Sequence, residues 1–401
     1  MRRSGLPAGL FFLGGARALR LWASAWVSPW RERRRLAGTL LVVLAWPVFC
    51  LLQLVHWIGF GVDEIFFRGW RKVDVRAPLF VLGPPRSGTT HLHHVLSGDG
   101  RTTTFRLWEC LFGLSVSARK LLLTFGRLDR AVGRPADRFG QWLGRRFLGA
   151  MEDVHPFALD APEEDFLALM PIMQCFVLVA VFPRAGWLWQ SARLDLEASP
   201  LQRRRLMAFY KACVQKHLYV FGPDHRFVSK NASFSGMPEA LLETFPDARI
   251  MACTRDPKQT VPSQLSSLKP ALTATGLDPL DPMFRDRIVD LLKFYYLHLD
   301  EAARRHPDRI VVLDNQALHN DLYAAVKQAF QVLQIDLTPQ FLEFLRRADS
   351  RSRGFQSGHR YTLAEFGLTE GGLEQEFAEV YRARPDLGRH ARSAAGKAAD
   401  G

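Results

Sequence analysis

Residues 77–109 constrain this chain more than any other stretch; they read APLFVLGPPRSGTTHLHHVLSGDGRTTTFRLWE. A short apolar run, Leu79 to Leu82, enters a Gly-Pro-Pro-Arg-Ser-Gly-Thr-Thr turn, and the turn opens a helix. That order of strand, tight loop and helix leaves the first backbone N–H groups of the helix unpaired and aimed at one spot. The helix macrodipole adds about half a positive charge there. Such a spot takes an anion, most often a phosphate.

The rest of the chain supplies a frame for that junction. Leu79–Leu82, Arg226–Ser229, Arg249–Cys253 and Arg309–Leu313 are short apolar runs of the buried-strand kind. Between them Leu201–Val220, Gly236–Phe245, Pro282–Arg304 and Asn315–Leu333 have helical period or composition. Strands separated by helices predict an α/β fold of three layers, a central parallel sheet with helices on both faces. Ligands of such sheets sit beyond the carboxyl ends of the strands. A long, mainly helical insertion over 111–220, rich in Trp and Phe, separates the first strand from the second and is expected to shape an acceptor site. At 401 residues, the chain divides into 1–76, a catalytic-size unit over 77–388, and a small, polar tail over 389–401 expected to fray.

Residues 1–76 hold twelve Lys/Arg against four Asp/Glu, so much of the formal charge of +13 lies there. Trp22, Trp26 and Trp30 accompany those arginines, as in an interfacial amphipathic stretch. Leu36 to Phe60 then runs for 25 residues without a charge. That length can cross the ~30 Å hydrocarbon core. Arginines flank it on both sides, which leaves orientation open; Pro47, Gln53 and His56 also permit a kinked helix or a hairpin lying in one leaflet, so a span, a hairpin and a monotopic anchor all stay open, with a buried helix of a soluble domain as the remaining reading. The basic segment fits an anionic lipid surface, with membrane contact over 36–67, better than nucleic acid, because no aromatic-basic repeat or zinc-finger spacing is present. Five scattered cysteines form no Cys-x-x-Cys pair, so neither a disulfide framework nor structural zinc is expected.

Three cationic sites carry the chemistry. Gly83 and Gly88 bracket four residues as in a Walker A loop, but Thr89 stands where an NTPase has its phosphate-binding lysine, and the cation has moved to Arg86. At Thr254-Arg255-Asp256-Pro257 a second strand ends and a helix begins, Pro being suited to the first helical position. Ser263 follows Arg255 by eight residues, so both can reach one anion. Arginine's planar fork meets phosphate oxygens two at a time. Lys230 ends a third strand, 25 residues before Arg255.

With these pieces in this order, the chain resembles the large bacterial-type family of sulfotransferases that use 3′-phosphoadenosine 5′-phosphosulfate (PAPS), over roughly residues 78–385. The resemblance implies that Gly83, Pro85, Arg86, Ser87, Gly88, Thr89 and Thr90 form a P-loop-like 5′-phosphosulfate loop. It implies that Arg255 and Ser263 hold the 3′-phosphate, that Arg353 belongs to the donor site, and that Lys230 approaches the sulfonate. No metal is implied. His155-Pro156, Glu163-Glu164-Asp165 and His359-Arg360-Tyr361 resemble further family segments; Thr362 and Glu365 predict a capping box, with His359 just outside that helix. One departure is Asn231-Ala232-Ser233-Phe234 after Lys230: cytosolic-type enzymes carry a histidine base at the position of Ala232. The expected base is therefore Glu109, 23 residues after Arg86, where tyrosylprotein- and heparan-type enzymes carry a glutamate. Trp108 and Leu107 would partly desolvate it. Glu163, Glu164 and His155 are the reserves. Transfer of a sulfuryl group from PAPS to a small-molecule, lipid or glycan hydroxyl or amine follows, with the catalytic domain cytoplasmic in a bacterium and Golgi-lumenal, type II, in a eukaryote. Two other readings stay open: a P-loop kinase or NTPase, which Arg309–Asp314 favours as a Walker B-like strand, and a membrane-bound nucleotide-binding protein without turnover.

Overall fold

The computed structural model describes residues 9–31, 33–135, 138, 160–352 and 362–387. His155, Arg353, His359 and the 389–401 tail lie outside the described residues. Five strands form the sheet: β1 (Leu79–Leu82), β2 (Thr102–Thr103), β3 (Arg226–Lys230), β4 (Arg249–Thr254) and β5 (Ile310–Asp314), in the order β2-β3-β1-β4-β5. All four pairings are parallel. The four apolar runs are the four long strands. β2 escaped the sequence reading because two threonines at a sheet edge give no apolar run.

Because side chains alternate across a strand, each strand feeds two cores. Phe80, Leu82, Phe227 and Ile250 pack with the helices Pro200–Phe221 and Pro282–Arg305; Leu79, Val81, Val228 and Met251 pack with Leu322–Val332 and Pro339–Ser352. The result is the expected three-layer α/β arrangement. β1 lies at its centre, flanked by β3 and β4, so chain crossovers leave it in both directions. That switch point is where an open sheet makes a crevice.

Two helical expectations need correction. The segment 315–333 is two helices, Asn315–Asn320 and Leu322–Val332, because the Asp321 side chain accepts from the Ala324 amide at 2.8 Å and starts the second. The capping box at Thr362 and Glu365 is not formed. A single 3₁₀ turn, Ala364–Phe366, occupies the site without a side-chain cap, and the Glu365 carboxylate pairs with Lys269 instead.

Helices α1 (Gly9–Arg31) and α2 (Leu36–Phe66) precede the sheet. They tie to each other through Trp46 Nε1, which donates to Ala18 O at 3.0 Å, and Trp22 Nε1, which donates to Val43 O at 3.2 Å. One face of α2 is fixed to the body along its length. Trp57 Nε1 donates to Pro171 O at 3.1 Å, and His56 Nε2 lies 3.0 Å from Leu111 O. Asp63 accepts from the Val116 and Ser117 amides and from Lys216 Nζ at 2.7 Å, with both charged side chains fully buried. Removing one partner of such a pair leaves the other charge buried without compensation. Asp63→Ala should therefore cost about 3–5 kcal/mol of stability, read as a lowered midpoint in urea unfolding.

Candidate functional site

The loop after β1 folds as its glycines dictate. Gly83 has φ +140° and Gly88 has φ +96°, both in the region that favours glycine. A Cβ on Gly83 would collide with Cys253 O of β4, and one on Gly88 with Asn315 Oδ1. Gly83 N donates to Ser235 Oγ at 2.9 Å, which sets the exit from the strand. Helix α3 (Thr89–Leu96) begins at Gly88 with no side-chain cap, so neither Ser87 nor the threonines satisfy its first amides. The Ser87 hydroxyl is fully buried and has no hydrogen-bond partner among the described residues. An uncapped helix start, two glycines against neighbouring backbone and side chain, and an orphan hydroxyl make a cradle suited to a phosphate group.

Arg86 itself adopts φ +69°. Its side chain reaches the helix that follows β4, where its Nε donates to Ser263 Oγ at 3.0 Å. Arg255, just past β4, donates from Nη1 to the Arg86 carbonyl at 3.3 Å and from Nε to Gln259 Oε1 at 2.8 Å. Burial first, and then the charge of Arg86, push the Arg255 guanidinium below its ordinary value. Among the described residues neither arginine forms an ion pair with a carboxylate. The helix Pro257–Ala274 that bears Ser263 is capped by Asp256, which accepts from the Lys258 amide at 2.9 Å. Arg86 thus bonds through its side chain to Ser263 and through its carbonyl to Arg255, which gathers the three at the carboxyl ends of β1 and β4.

Lys230 closes β3 opposite Val81 of β1. Its Nζ lies 2.8 Å from Glu164 Oε1, in a pair that keeps partial contact with solvent through Glu164. Beside it, Asp165 is fully buried and accepts from the Tyr210 hydroxyl. Burial pushes the Asp165 carboxyl up to about 7, against Tyr210, Ser229 and Asn231, which favour its ionised form.

Glu109 lies in the first turn of α4 (Leu107–Phe112) and is fully enclosed, not partly desolvated as Trp108 and Leu107 suggested. His217 Nδ1 is 2.9 Å from its Oε2, and Arg119 Nε is 3.7 Å from its Oε1. Burial lowers the His217 pKa in spite of Glu109, which pulls the other way. The neutral ring then donates from Nδ1 to Glu109 and accepts at Nε2 from the Thr103 hydroxyl at 2.8 Å. Sequence reasoning missed His217 and Arg119, and nothing local marks them: His217 stands 108 residues from Glu109.

The family model described as "Sulfotransferase family" matches residues 78–339, well over half of the chain. The chain belongs to the sulfotransferase family. Among relatives of this sulfotransferase-family chain, the omega-hydroxy-beta-dihydromenaquinone-9 sulfotransferase Stf3 of Mycobacterium bovis is 27% identical over 296 residues, covering 70% of this chain and 69% of that one. Similar solved structures include the sulfotransferase STF1 from Mycobacterium tuberculosis, with TM-score 0.65, 17% identity and coverage of 93% of this chain and 94% of that one. The sulfotransferase STF9 from Mycobacterium avium gives TM-score 0.64 and 19% identity over 94% and 96% of the two chains. At those identities the structures speak to the fold, which they share.

The buried Asp165 predicts a pH dependence of stability. Its carboxyl keeps a proton in the folded state to about 7, whereas the unfolded group loses it near the ordinary 3.8. The folded state therefore binds more protons between those values, and stability falls as pH rises from about 4 to about 7. Thermal melts of Asp165→Asn across that range should show a flatter profile than those of the unchanged protein.

Proposed function

We propose that this protein moves a sulfuryl group from PAPS to a hydroxyl of a membrane-embedded lipid. The observation that carries the donor is the Arg86–Ser263–Arg255 cluster beside the uncapped start of α3. Arg255 and Ser263 hold the 3′-phosphate, while Gly83, Pro85, Ser87, Gly88, Thr89 and Thr90 cradle the 5′-phosphosulfate. Arg86 spends only its Nε on Ser263, so the Nη groups of its fork remain for the donor. Lys230 meets the sulfonate, and Arg353 would add to the same site. In this reading 77–388 is the catalytic domain, with 111–220 on its acceptor side and 1–76 its membrane-associating unit, facing the cytoplasm where the donor is made.

Sulfuryl transfer, like phosphoryl transfer, passes through a loose transition state, so positioning and charge stabilisation supply most of the catalysis. The S–O bond to the donor phosphate breaks as the bond to the acceptor oxygen forms, and the acceptor proton goes to a carboxylate. Glu109 is our proposed base, on the family resemblance. A second reading has a specific observation in its favour: Glu164 stands on Lys230 itself, whereas Glu109 is enclosed between Arg119 and His217. The lipid acceptor rests on the mycobacterial relative named for a hydroxylated menaquinone and on the apolar outer face of α1 and α2.

Calorimetry with adenosine 3′,5′-bisphosphate and with ATP tests the donor. The bisphosphate should bind without metal, and Arg255→Ala should weaken it by roughly 10–100-fold, the worth of one charge-assisted hydrogen-bonding group. Equal binding of ATP would remove the reading. Single-turnover assays of Glu109→Gln and Glu164→Gln identify the base: the variant that keeps donor binding yet loses transfer by roughly 10²–10⁴-fold has lost it.

A further inference from the structure

Large apolar side chains that face solvent are not spread evenly over this protein. Among the described residues beyond 132 they are few and scattered along the chain: Val177, Leu196, Leu201, Leu280, Val332 and Phe344. Single exposed apolar residues of that kind need no explanation. On the N-terminal helices they form rows. α1 exposes Phe12, Leu19, Trp26 and Trp30, the last at 80%. α2 exposes Leu40, Leu44, Leu51, Val55 and Ile58, and α5 (Val116–Ala131) exposes Leu121, Phe125 and Leu128, with Val132 just past its end. The three elements are neighbours: α1 and α2 share the tryptophan hydrogen bonds, and the first turn of α5 is held to α2 by Asp63 and by Ser117 Oγ, which donates to Gly59 O at 3.2 Å.

We infer that α1, α2 and α5 together form a monotopic docking face for one leaflet of an anionic bilayer, with α2 lying along the interface and not across it. α2 is long and apolar enough to span, but its opposite face excludes that course. Trp57 and His56 hydrogen-bond to backbone carbonyls of the body, and Asp63 is buried on Lys216. If hydrocarbon surrounded the middle of α2, the 3₁₀ segments and loops packed on it would lie at membrane depth, where irregular backbone cannot be satisfied. A helix with one docked face and one apolar face instead beds into a leaflet.

Charge selects the lipid. Arg31, Arg33 and Arg35 are exposed at the corner between α1 and α2, and Arg127 and Arg130 are exposed along α5 beside its apolar row. Arginine stems lie along apolar surface while their heads reach phosphate, and anionic headgroups attract them. Trp26 and Trp30 suit the headgroup level. A cavity of about 380 Å³ lined by Phe11, Phe12, Leu54, Trp57 and Ile58 lies between α1 and α2. Its exposed walls Phe12 and Ile58 open it to the same face, where an acyl or isoprenoid chain would enter. This deepens the lipid-acceptor reading, since it brings acceptors to the enzyme in the plane of the leaflet.

The test is flotation of the full chain with vesicles of phosphatidylcholine alone or mixed equally with phosphatidylglycerol. The protein should float with the mixed vesicles, be shed by alkaline carbonate, and bind neutral vesicles at least about tenfold less. Leu121→Glu with Phe125→Glu should lower flotation about tenfold while the thermal midpoint and adenosine 3′,5′-bisphosphate binding stay as they were. Wild-type flotation of that variant, resistance to carbonate, equal binding to neutral vesicles, or no flotation at all would overturn the inference. Donor binding, measured on the same samples, reports separately on the proposed reaction.

Discussion

Two positive side chains set beside one another shape the rest of this structure. Arg86 and Arg255 stand at the carboxyl ends of neighbouring strands, joined through the Arg86 carbonyl, and no carboxylate pairs with either among the described residues. Like charges in a partly desolvated place raise each other's energy. They persist because strong backbone constraints hold their carriers: β1 and β4 are in register from Leu79 to Leu82, the loop closes on Gly83 and Gly88, and Asp256 fixes the helix that brings Ser263. The fold thus stores a cationic site that an anion relieves, which is what positioning by pre-organisation means for a loose transition state.

The carboxylates around this site differ in environment more than in chemistry. Glu109 is enclosed with an arginine and a neutral histidine. Asp165, one residue from Glu164, is buried against Tyr210 and holds its proton to about 7. Glu164 alone of the three reaches the lysine at the end of β3. Three acids within one small region therefore serve as enclosed ion-pair partner, buried neutral acceptor and cation partner, according to what surrounds each.

The N-terminal helices show how composition and packing divide the same residues. Gln53 and His56 looked like interruptions in an apolar run. They lie on the face of α2 that docks on the body, and Leu54 and Val55 between them face outward. A helix period read from sequence sorts residues onto faces, and only the partner says which face is covered. The same holds for Asp63, whose role as a triple acceptor depends on Val116, Ser117 and Lys216.

What the sequence by itself determined was local. Four apolar runs became strands, Gly83 and Gly88 took positive φ in the loop, and Pro257 opened its helix, because each depends on backbone sterics and short-range pattern. Adjacency of Arg86 and Arg255 was legible in outline, since parallel strands carry their carboxyl ends to one edge. The tertiary structure alone decided the contact of Arg86 with Ser263, the enclosure of Glu109 by Arg119 and His217, the pairing of Glu164 with Lys230, and the docked face of α2. Each joins residues from different elements, and the free energy of such a contact comes from desolvation and close approach, quantities that exist only once the layers have packed.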